Sequence, residues 1–217
     1  MITRYGYDVF STLLGIYAVV IILALFLVEP RLLKLAIVVL TLGAFAFTLN
    51  FFRDPERKAP EGADLVLAPA DGRIIKITTV HEHEFFAGDA TMISIFMSPL
   101  NVHVNRIPID GIVKHMRYVE GEYFAAFEDK ASEKNEQMIV GIEGRGGRVL
   151  MKQIAGFVAR RIVCELAVGD TVVSGERFGM IKFGSRVDMF IPPSAVVKVR
   201  VDERTVAGET ILAVFHG

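Results

Sequence analysis

The sequence predicts a mainly β domain with a sandwich-like or barrel-like core, preceded by an N-terminal hydrophobic helical hairpin. Two observations lead to this prediction. Uncharged apolar residues are concentrated in the first quarter of the 217-residue chain, where they form two long runs. The rest of the chain is a series of short apolar and β-branched runs that are separated by turn-forming residues. This length allows one sizeable domain and a smaller appendage.

The overall composition excludes some classes of protein. The formal net charge is −1, which gives no bulk attraction to a phosphate backbone, so no nucleic-acid partner is predicted. Cys164 is the only cysteine, which excludes an internal disulfide framework and fits a reducing compartment. It directly follows Ile162 and Val163, a context that predicts a small buried residue.

The two apolar runs predict a membrane anchor. Val9–Val28 is uncharged over twenty residues, which at about 1.5 Å per residue matches the roughly 30 Å hydrocarbon core of a bilayer. Leu35–Phe52 contains only three polar residues. Since only Glu29–Lys34 separate the runs, an antiparallel helical hairpin is the simplest arrangement. A cleaved signal peptide fits less well, because the first run is too long and no small-residue cleavage site follows it.

Basic residues predict the orientation of this anchor. Four lie outside the hairpin and two lie in its connection: Arg4, Arg53, Arg57 and Lys58 outside, and Arg31 and Lys34 inside. The positive-inside rule therefore mildly favours both ends, and with them the following domain, on the cytoplasmic side of the cell membrane. A monotopic hairpin held at one leaflet is the alternative to full spanning.

The predicted anchor comprises residues 1–58, with helices at about 9–28 and 35–52, and the β-rich domain comprises residues 59–217. Segment 53–62 between them is charged and contains prolines. Segment Tyr123–Glu136 is predicted to be a short helix or an ordered loop. The predicted strands are Leu65–Leu67, Arg73–Val80, Thr91–Met97, Gly111–Arg117, Gln137–Glu143, Arg148–Ile154, Val158–Leu166, Arg177–Phe183 and Val187–Ile191.

A faint internal repeat supplies a competing hypothesis. Val168–Val173 is echoed by Ala207–Leu212, and each copy places a turn before an alternating strand. This hairpin repeat resembles that of lipoyl-type and biotinyl-type sandwiches, so the main alternative function is a membrane-anchored adaptor or carrier without enzymatic activity. Those domains display a lysine at a tight hairpin tip, whereas Lys182 does not lie at such a tip.

Histidines give little evidence for a metal site. His81 and His83 would point the same way from an extended segment, as a metal-binding pair would, but no third and fourth ligands accompany them. His115 and His216 have no context that singles them out. No metal ligand is therefore predicted.

Three other residues fit proton transfer and nucleophilic chemistry. Asp71 lies in an Asp-Gly turn, His103 follows a predicted strand, and Ser185 follows Gly184 between two predicted strands. Such residues permit a triad in which the aspartate orients the histidine and the histidine activates the serine. A self-processing protease or amidase is therefore a second alternative. Segment Phe183–Val187 lacks the second glycine of a nucleophile elbow and precedes a strand, which argues against an ordinary α/β-hydrolase.

Six stretches, taken in order, carry a family signature. They are Phe51–Pro55, Pro69–Gly72, Met97–His103, Asp129–Glu136, Ile154–Val163 and the stretch around Gly184-Ser185. Together they resemble the phosphatidylserine decarboxylase proenzymes of the short bacterial and archaeal type. Longer members have Leu-Gly-Ser-Thr where this chain has Phe183-Gly184-Ser185-Arg186, and a second histidine where it has Arg106. Both departures resemble the short subgroup and leave His103 to serve maturation and turnover.

The resemblance implies a chain that cuts itself between Gly184 and Ser185, into a β chain of residues 1–184 and an α chain of residues 185–217. It implies that Ser185 attacks the Gly184 carbonyl, with His103 as the base and Asp71 orienting it. Ser185 then becomes a covalent pyruvoyl group, the cofactor that forms a Schiff base with the substrate amine.

The same resemblance implies the reaction and its partners. Phosphatidylserine is converted into phosphatidylethanolamine and CO₂ in phospholipid biosynthesis, without a metal or a diffusible cofactor. The implied partners are the lipid, the membrane and the chain's own two fragments, as a heterodimer or a larger oligomer of such heterodimers.

Overall fold

The computed structural model describes residues 1–122, 124, 134–156, 161–182 and 185–216. The chain divides into two compact units, Met1–Pro55 and Glu56–Gly217. The first unit is helical, and the second is built mostly of strands. The predicted fold class, a mainly β domain that follows a hydrophobic helical hairpin, is therefore confirmed.

In the first unit, a 3₁₀ turn at Arg4–Gly6 leads into helix α1, Tyr7–Leu27, and helix α2 follows at Arg31–Phe51. The α2 helix begins before the predicted apolar run, because Arg31 and Lys34 are good helix formers although they are charged. Both helices are long and apolar enough to cross a membrane. Most of their large apolar side chains are exposed in the isolated chain.

The second unit contains fourteen strands in the described ranges. In chain order they are β1 Leu65–Leu67, β2 Gly72–Glu82, β3 Gly88–Met97, β4 Val104–Arg106, β5 Gly111–Val119, β6 Gln137–Glu143, β7 Arg148–Ala155, β8 Ile162–Cys164, β9 Thr171–Val172, β10 Arg177–Ile181, β11 Ser185–Ile191, β12 Val196–Val197, β13 Arg204–Thr205 and β14 Ile211–Val214.

These strands form three antiparallel sheets. The large sheet has eight strands in the order β13-β2-β3-β11-β7-β6-β5-β9 and is curled into a half-barrel. Two small sheets have the orders β4-β10-β8 and β1-β14-β12. The main hydrophobic core lies on one face of the large sheet and includes Val187 and Met189 of β11 with Phe178 and Ile181 of β10.

Strand β11 is buried along its whole length, because both faces of the large sheet are covered there. Val187, Met189 and Ile191 pack into the main core, whereas Phe190 points to a second cluster that contains Phe86 and Leu150. A strand buried on both faces loses the polar–apolar alternation of a half-exposed strand. This explains why the sequence pattern of β11 is irregular.

Most predicted strands are present, with ends shifted by a few residues. Strands β4, β12 and β13 were not predicted, since runs of two or three residues are too short to show a period. Residues 158–160 of the predicted strand Val158–Leu166, and residues 123 and 125–133 of the segment Tyr123–Glu136, lie outside the described residues.

The two copies of the sequence repeat share a backbone feature. Gly169 and Gly208 have φ values of +100° and +74°, a region in which glycine is favoured, and the turns precede strands β9 and β14. The copies differ in their surroundings. Strand β9 is at the edge of the large sheet, whereas β14 is the central strand of a small one.

A buried carboxylate organises the turn after β2. Glu82 accepts N–H bonds from Glu84 at 2.9 Å, Phe85 at 2.8 Å and Phe86 at 2.7 Å. Burial raises the pKa of Glu82, but these three bonds and the charge of Lys152 outweigh it, so the pKa lies below its ordinary value. Glu82 is therefore expected to be ionised over the whole neutral range.

The shifted pKa predicts an acid-labile contribution to stability. Because the folded-state pKa of Glu82 is below the ordinary value of 4.5, its contribution is present above that pH and is lost as the pH falls through the folded-state pKa. Glu82→Gln is expected to lower the free energy of unfolding by about 1–2 kcal/mol at pH 7 and by less at pH 4. Urea unfolding of the full chain in detergent measures both values.

The exposed Glu61 provides the control for this prediction. Glu61→Gln is expected to leave stability unchanged at both pH values. An equal loss for Glu82→Gln at pH 7 and pH 4 would contradict an ionised carboxylate.

Candidate active site

The predicted site residues lie where the chain passes from one sheet to another. Strands β3, β11 and β7 are neighbours in the large sheet, and β4, β10 and β8 are neighbours, in the matching order, in a small sheet. Three connections join these strands: 98–103 from β3 to β4, 182–184 from β10 to β11, and 156–161 from β7 to β8. The connection before Ser185 is therefore the middle one.

Backbone hydrogen bonds hold the start of this middle connection from both sides. The N–H of Ile181 donates to the carbonyl of His103 at 3.4 Å, and the N–H of Lys182 donates to the carbonyl of Arg161 at 3.1 Å. Successive N–H groups of an extended chain point to opposite sides, so this segment continues as the middle strand of a ladder. Phe183 and Gly184, the first half of the predicted cleavage position, lie outside the described residues.

Ser185 is the first residue of β11, and it lies opposite Met97 of β3 and Ala155 of β7. Its side chain is fully buried, and its Oγ lies 3.3 Å from the Sδ of Met97. A thioether sulfur is a weak acceptor. The contact therefore leaves the hydroxyl proton available to a stronger base.

His103 is the last residue of the neighbouring connection, and its ring is also buried. Its Nδ1 lies 3.0 Å from the carbonyl oxygen of Asn101. A carbonyl only accepts, so Nδ1 carries the hydrogen, and in the neutral ring Nε2 carries the lone pair of a base. The loop that holds His103 is braced, because the side chain of Asn101 accepts the N–H of Ser98 at 2.9 Å.

Asp71 is held by an arginine side chain and a backbone N–H. Its carboxylate is bound by both Nη atoms of Arg57, one of them at 2.8 Å, and it accepts the N–H of Ala207 at 2.8 Å. The side chains of Arg57 and Asp71 are only 7% and 12% exposed. In the described structure Asp71 thus clamps its own turn to Arg57 and Ala207, whereas the ring nitrogen Nδ1 of His103 meets Asn101.

A buried amide connects the turn of Asp71 with the surroundings of Ser185. Asn105 donates through Nδ2 to the carbonyl of Pro69 at 3.2 Å, and its Oδ1 accepts from Gln153 at 2.9 Å. The same Nδ2 lies 4.0 Å from the Sδ of Met97, the sulfur that Ser185 contacts. Asn105 and Gln153 were not among the predicted residues. Asn105 follows His103 by two positions, and this period-two spacing is the signal that could have identified it.

The other flank of Ser185 is held by the end of the Asp129–Glu136 motif. Asn135 donates to the carbonyl of Ala155 at 2.7 Å, and the N–H of Ala155 donates to the carbonyl of Glu136 at 3.0 Å. Ala155 is the β7 partner of Ser185. The described part of this motif therefore positions the strand next to the serine.

Other predicted features lie apart from these contacts. His81 and His83 have ring centroids 4.7 Å apart, and His81 lies 3.3 Å from Asp89 on an exposed surface. In the ranges that the structure describes, no group of three or more His, Cys, Asp or Glu is placed to hold a metal ion.

Cys164 is only half-buried, which corrects the prediction of a buried residue. The reason is that β8 is an edge strand of its sheet. Partial burial nevertheless raises the pKa of the thiol, which Glu165 also raises and a backbone N–H bond lowers. The thiol is therefore expected to stay protonated, which disfavours reactivity.

Comparisons with known proteins identify the family of this arrangement. A family model described as phosphatidylserine decarboxylase matches residues 44–213. The phosphatidylserine decarboxylase proenzyme of Chlorobium phaeobacteroides is 48% identical over 213 residues, which cover 98% of this chain and 99% of that protein. The proenzyme of Chlorobaculum tepidum is 50% identical over 194 residues, which cover 89% and 88%. The proenzyme of Chlorobium limicola is 44% identical over 217 residues, which cover 99% and 100%.

The buried ion pair of Arg57 and Asp71 predicts a large effect of substitution. Arg57→Met leaves Asp71 without its cation and is expected to lower the free energy of unfolding by about 3–5 kcal/mol. Arg73→Met, which breaks the exposed pair with Asp202, is the matched control and is expected to lower it by less than about 1 kcal/mol. Urea unfolding of the full chain in detergent compares the two. Similar losses would show that burial does not set the strength of the first pair.

Proposed function

The chain belongs to the phosphatidylserine decarboxylase family, and on that premise we propose that it converts phosphatidylserine into phosphatidylethanolamine and CO₂ in phospholipid biosynthesis. The catalytic group is a pyruvoyl group that the chain makes from its own Ser185. The observation that carries this proposal is the position of Ser185 directly after the middle connection between the two sheets. His103 ends the connection on one side of it.

The proposed self-cleavage begins with attack of the Ser185 hydroxyl on the carbonyl carbon of Gly184. Glycine has no side chain that would cover this carbonyl. The peptide bond is exchanged for an ester, and the nitrogen of residue 185 becomes a free amine. Loss of the α-proton of residue 185 then expels Gly184 as a carboxylate and leaves dehydroalanine. Water replaces its nitrogen, which leaves as ammonia, and the pyruvoyl group remains.

The surroundings favour this intramolecular attack over simple hydrolysis. The ladder fixes Ile181 and Lys182, and β11 fixes Ser185, so these residues have little motion to lose when the attack occurs. Ser185 is fully buried, which keeps water from competing at the same carbonyl. Fixed positions for Lys182 and Ser185 are therefore part of the proposed mechanism.

His103 is the proposed base. Its Nε2 takes the hydroxyl proton while Nδ1 stays bound to the Asn101 carbonyl, and such positioned proton transfer contributes roughly 10²–10⁴-fold. We assign Asp71 a positioning role, because its contacts lead to Arg57 and Ala207. The turn that it fixes reaches the site through the bond from Asn105 to Pro69.

The sheet order supports an enzyme whose two fragments stay together. After cleavage, the α chain of residues 185–217 keeps β11 between β3 and β7, and β14 between β1 and β12. Strand β11 is thus held by the β chain on both sides, whereas β14 is held by β1 of the β chain on one side and by β12 of its own fragment on the other. The processed protein is therefore proposed to be a heterodimer of its own β and α chains.

During turnover, the pyruvoyl carbonyl supplies an electron sink for the electrons that are released with CO₂. The chain's own residues hold that group in β11 and return a proton to the product, for which His103 is the candidate. The proposed substrate is a membrane lipid, so the enzyme has to work at the membrane. The two apolar helices would hold it there. We propose the cytoplasmic side of the cell membrane, from the basic residues that flank these helices.

The contacts of Lys182 disfavour the carrier hypothesis. A lipoyl-type or biotinyl-type carrier needs an exposed lysine at a hairpin tip, but Lys182 is only 4% exposed and its backbone is part of the ladder. The remaining alternative, a self-processing amidase, keeps a serine at position 185. The chemical state of that residue in the mature protein distinguishes it from the proposal.

Intact-mass measurement of the purified protein tests the cleavage. We expect two fragments that meet at Gly184/Ser185, the smaller one blocked to Edman degradation until its carbonyl is reductively aminated. Ser185→Ala is expected to abolish cleavage and decarboxylation together, because it removes the nucleophile and the source of the pyruvoyl group. Ser194→Ala, an exposed serine of the same fragment, is the control and should behave like the wild type. An active wild-type protein that consists of a single uncut chain would refute the proposal.

Substitution of His103 tests the base. His103→Asn retains a nitrogen donor for the Asn101 carbonyl but has no basic atom, so cleavage is expected to slow by roughly 10²–10⁴-fold. The half-exposed His115 provides the control, and His115→Asn should cleave at the wild-type rate. Time courses of precursor cleavage in cell-free synthesis measure both. Normal maturation and decarboxylation of His103→Asn would remove His103 from the mechanism.

A further inference from the structure

A buried ion pair lies next to Ser185 on the other face of the same strand. The Nε of Arg186 donates to the Oδ1 of Asp188 at 2.6 Å, and its Nη2 donates to the Oγ of Ser94 at 2.7 Å. The side chains of Arg186 and Asp188 are 1% and 0% exposed, and Ser94 is fully buried. Side chains alternate along a strand, so Arg186 and Asp188 share the face opposite to that of Ser185.

Stability alone does not explain this pair. Two charges lose their hydration when they are buried, and well-packed apolar residues of the same volume often replace such a pair without loss of stability. The rest of β11 shows that the strand accepts apolar side chains on both faces, because Val187 and Phe190 are buried there. The position of the pair suggests another reason for its presence, because Arg186 directly follows Ser185, the residue at the proposed new chain end.

The proposed cleavage changes what holds residue 185. In the uncut chain, this residue is attached covalently on both sides, and afterwards it is a chain end that carries the reacting carbonyl. Chain ends fray unless contacts tie them down. Arg186 directly follows this chain end, and its guanidinium reaches Asp188 within the α chain and Ser94 within the β chain.

We propose that Arg186, held by Asp188 and Ser94, is a positioning residue that pins the new end of β11 into the large sheet after cleavage. Ser94 is the direct cross-strand partner of Asp188, so the three side chains brace the first four residues of β11 against β3. The reacting carbonyl at residue 185 thereby stays fixed relative to its surroundings. This inference rests on the proposed function, since it requires the cut at Gly184/Ser185.

If Arg186 pins the new chain end, its loss should affect the rate of self-cleavage and the rate of decarboxylation differently. Self-cleavage takes place while the strand is still continuous, so loss of the pin should change its rate by less than about threefold. Decarboxylation takes place at the free end, where a displacement of about 1 Å costs up to roughly 10²-fold, so kcat should fall by about 10-fold to 100-fold. A purely structural role would lower both rates together.

Two substitutions remove the pin in different ways. Ser94→Ala deletes the side-chain bond from Arg186 to the β chain and keeps both charges. Arg186→Met combined with Asp188→Leu replaces the ion pair by apolar side chains of similar volume. Met189→Ala is the matched control, because it makes a cavity in the same strand on the face away from the pair. Ser94→Ala decides the question even if the double variant does not fold.

For each full-length variant, cleavage is followed by intact mass during cell-free synthesis, and kcat is measured with phosphatidylserine in detergent micelles. Hydrogen exchange of the first α-chain peptide reports fraying directly. We expect near-normal cleavage, a kcat at least tenfold lower and faster exchange at residues 186–188 for the pin variants, and no such divergence for Met189→Ala.

Two results would overturn the inference. One is a kcat within twofold of the wild type in pin variants that cleave normally, and the other is a parallel loss of cleavage and kcat in Ser94→Ala. Both leave the proposed function intact. A wild-type chain that never cleaves would instead overturn the proposed function and this inference with it.

Discussion

The antiparallel pairing of β11 with both β3 and β7 is the constraint on which the arrangement of the site depends. It places Ser185 at the beginning of a central strand, opposite Met97 and Ala155. Because β10 is likewise central in its own small sheet, the chain can reach Ser185 only between two neighbouring connections. One of these ends in His103. Strand order therefore places the connection that ends in His103 next to the one that leads to Ser185.

Burial of the residues around Ser185 explains why polar side chains there form hydrogen bonds and an ion pair. Polar groups in a dry interior need partners, and water is not there to supply them. Gln153 donates to Asn105 beside the sulfur that Ser185 contacts, and the ion pair of Arg57 with Asp71 fixes the turn that Asn105 binds. Such a framework holds the reactive groups in one geometry. Asp71, which the sequence suggests as a triad member, is part of this framework through its ion pair with Arg57.

The same sheet order determines that the proposed cut leaves its new chain end inside the protein. Cleavage in an exposed loop would release a tail, but cleavage before a central strand leaves a chain end inside the protein. The end is useful for catalysis only if it stays in place. The contacts of Arg186 with Asp188 and Ser94 supply that restraint on the face of the sheet away from the reaction.

Local pattern in the sequence determined the helical hairpin, most of the longer strands and, through short motifs, the positions of Asp71, His103 and Ser185. These features depend on neighbours in the chain, so hydrophobic period and turn residues reveal them. Only the tertiary structure decided that the serine directly follows the middle one of three neighbouring connections and that Asp71 pairs with Arg57. It also revealed the short strand β4 and the amide of Asn105. Such features depend on the register between strands far apart in sequence, which no local pattern specifies.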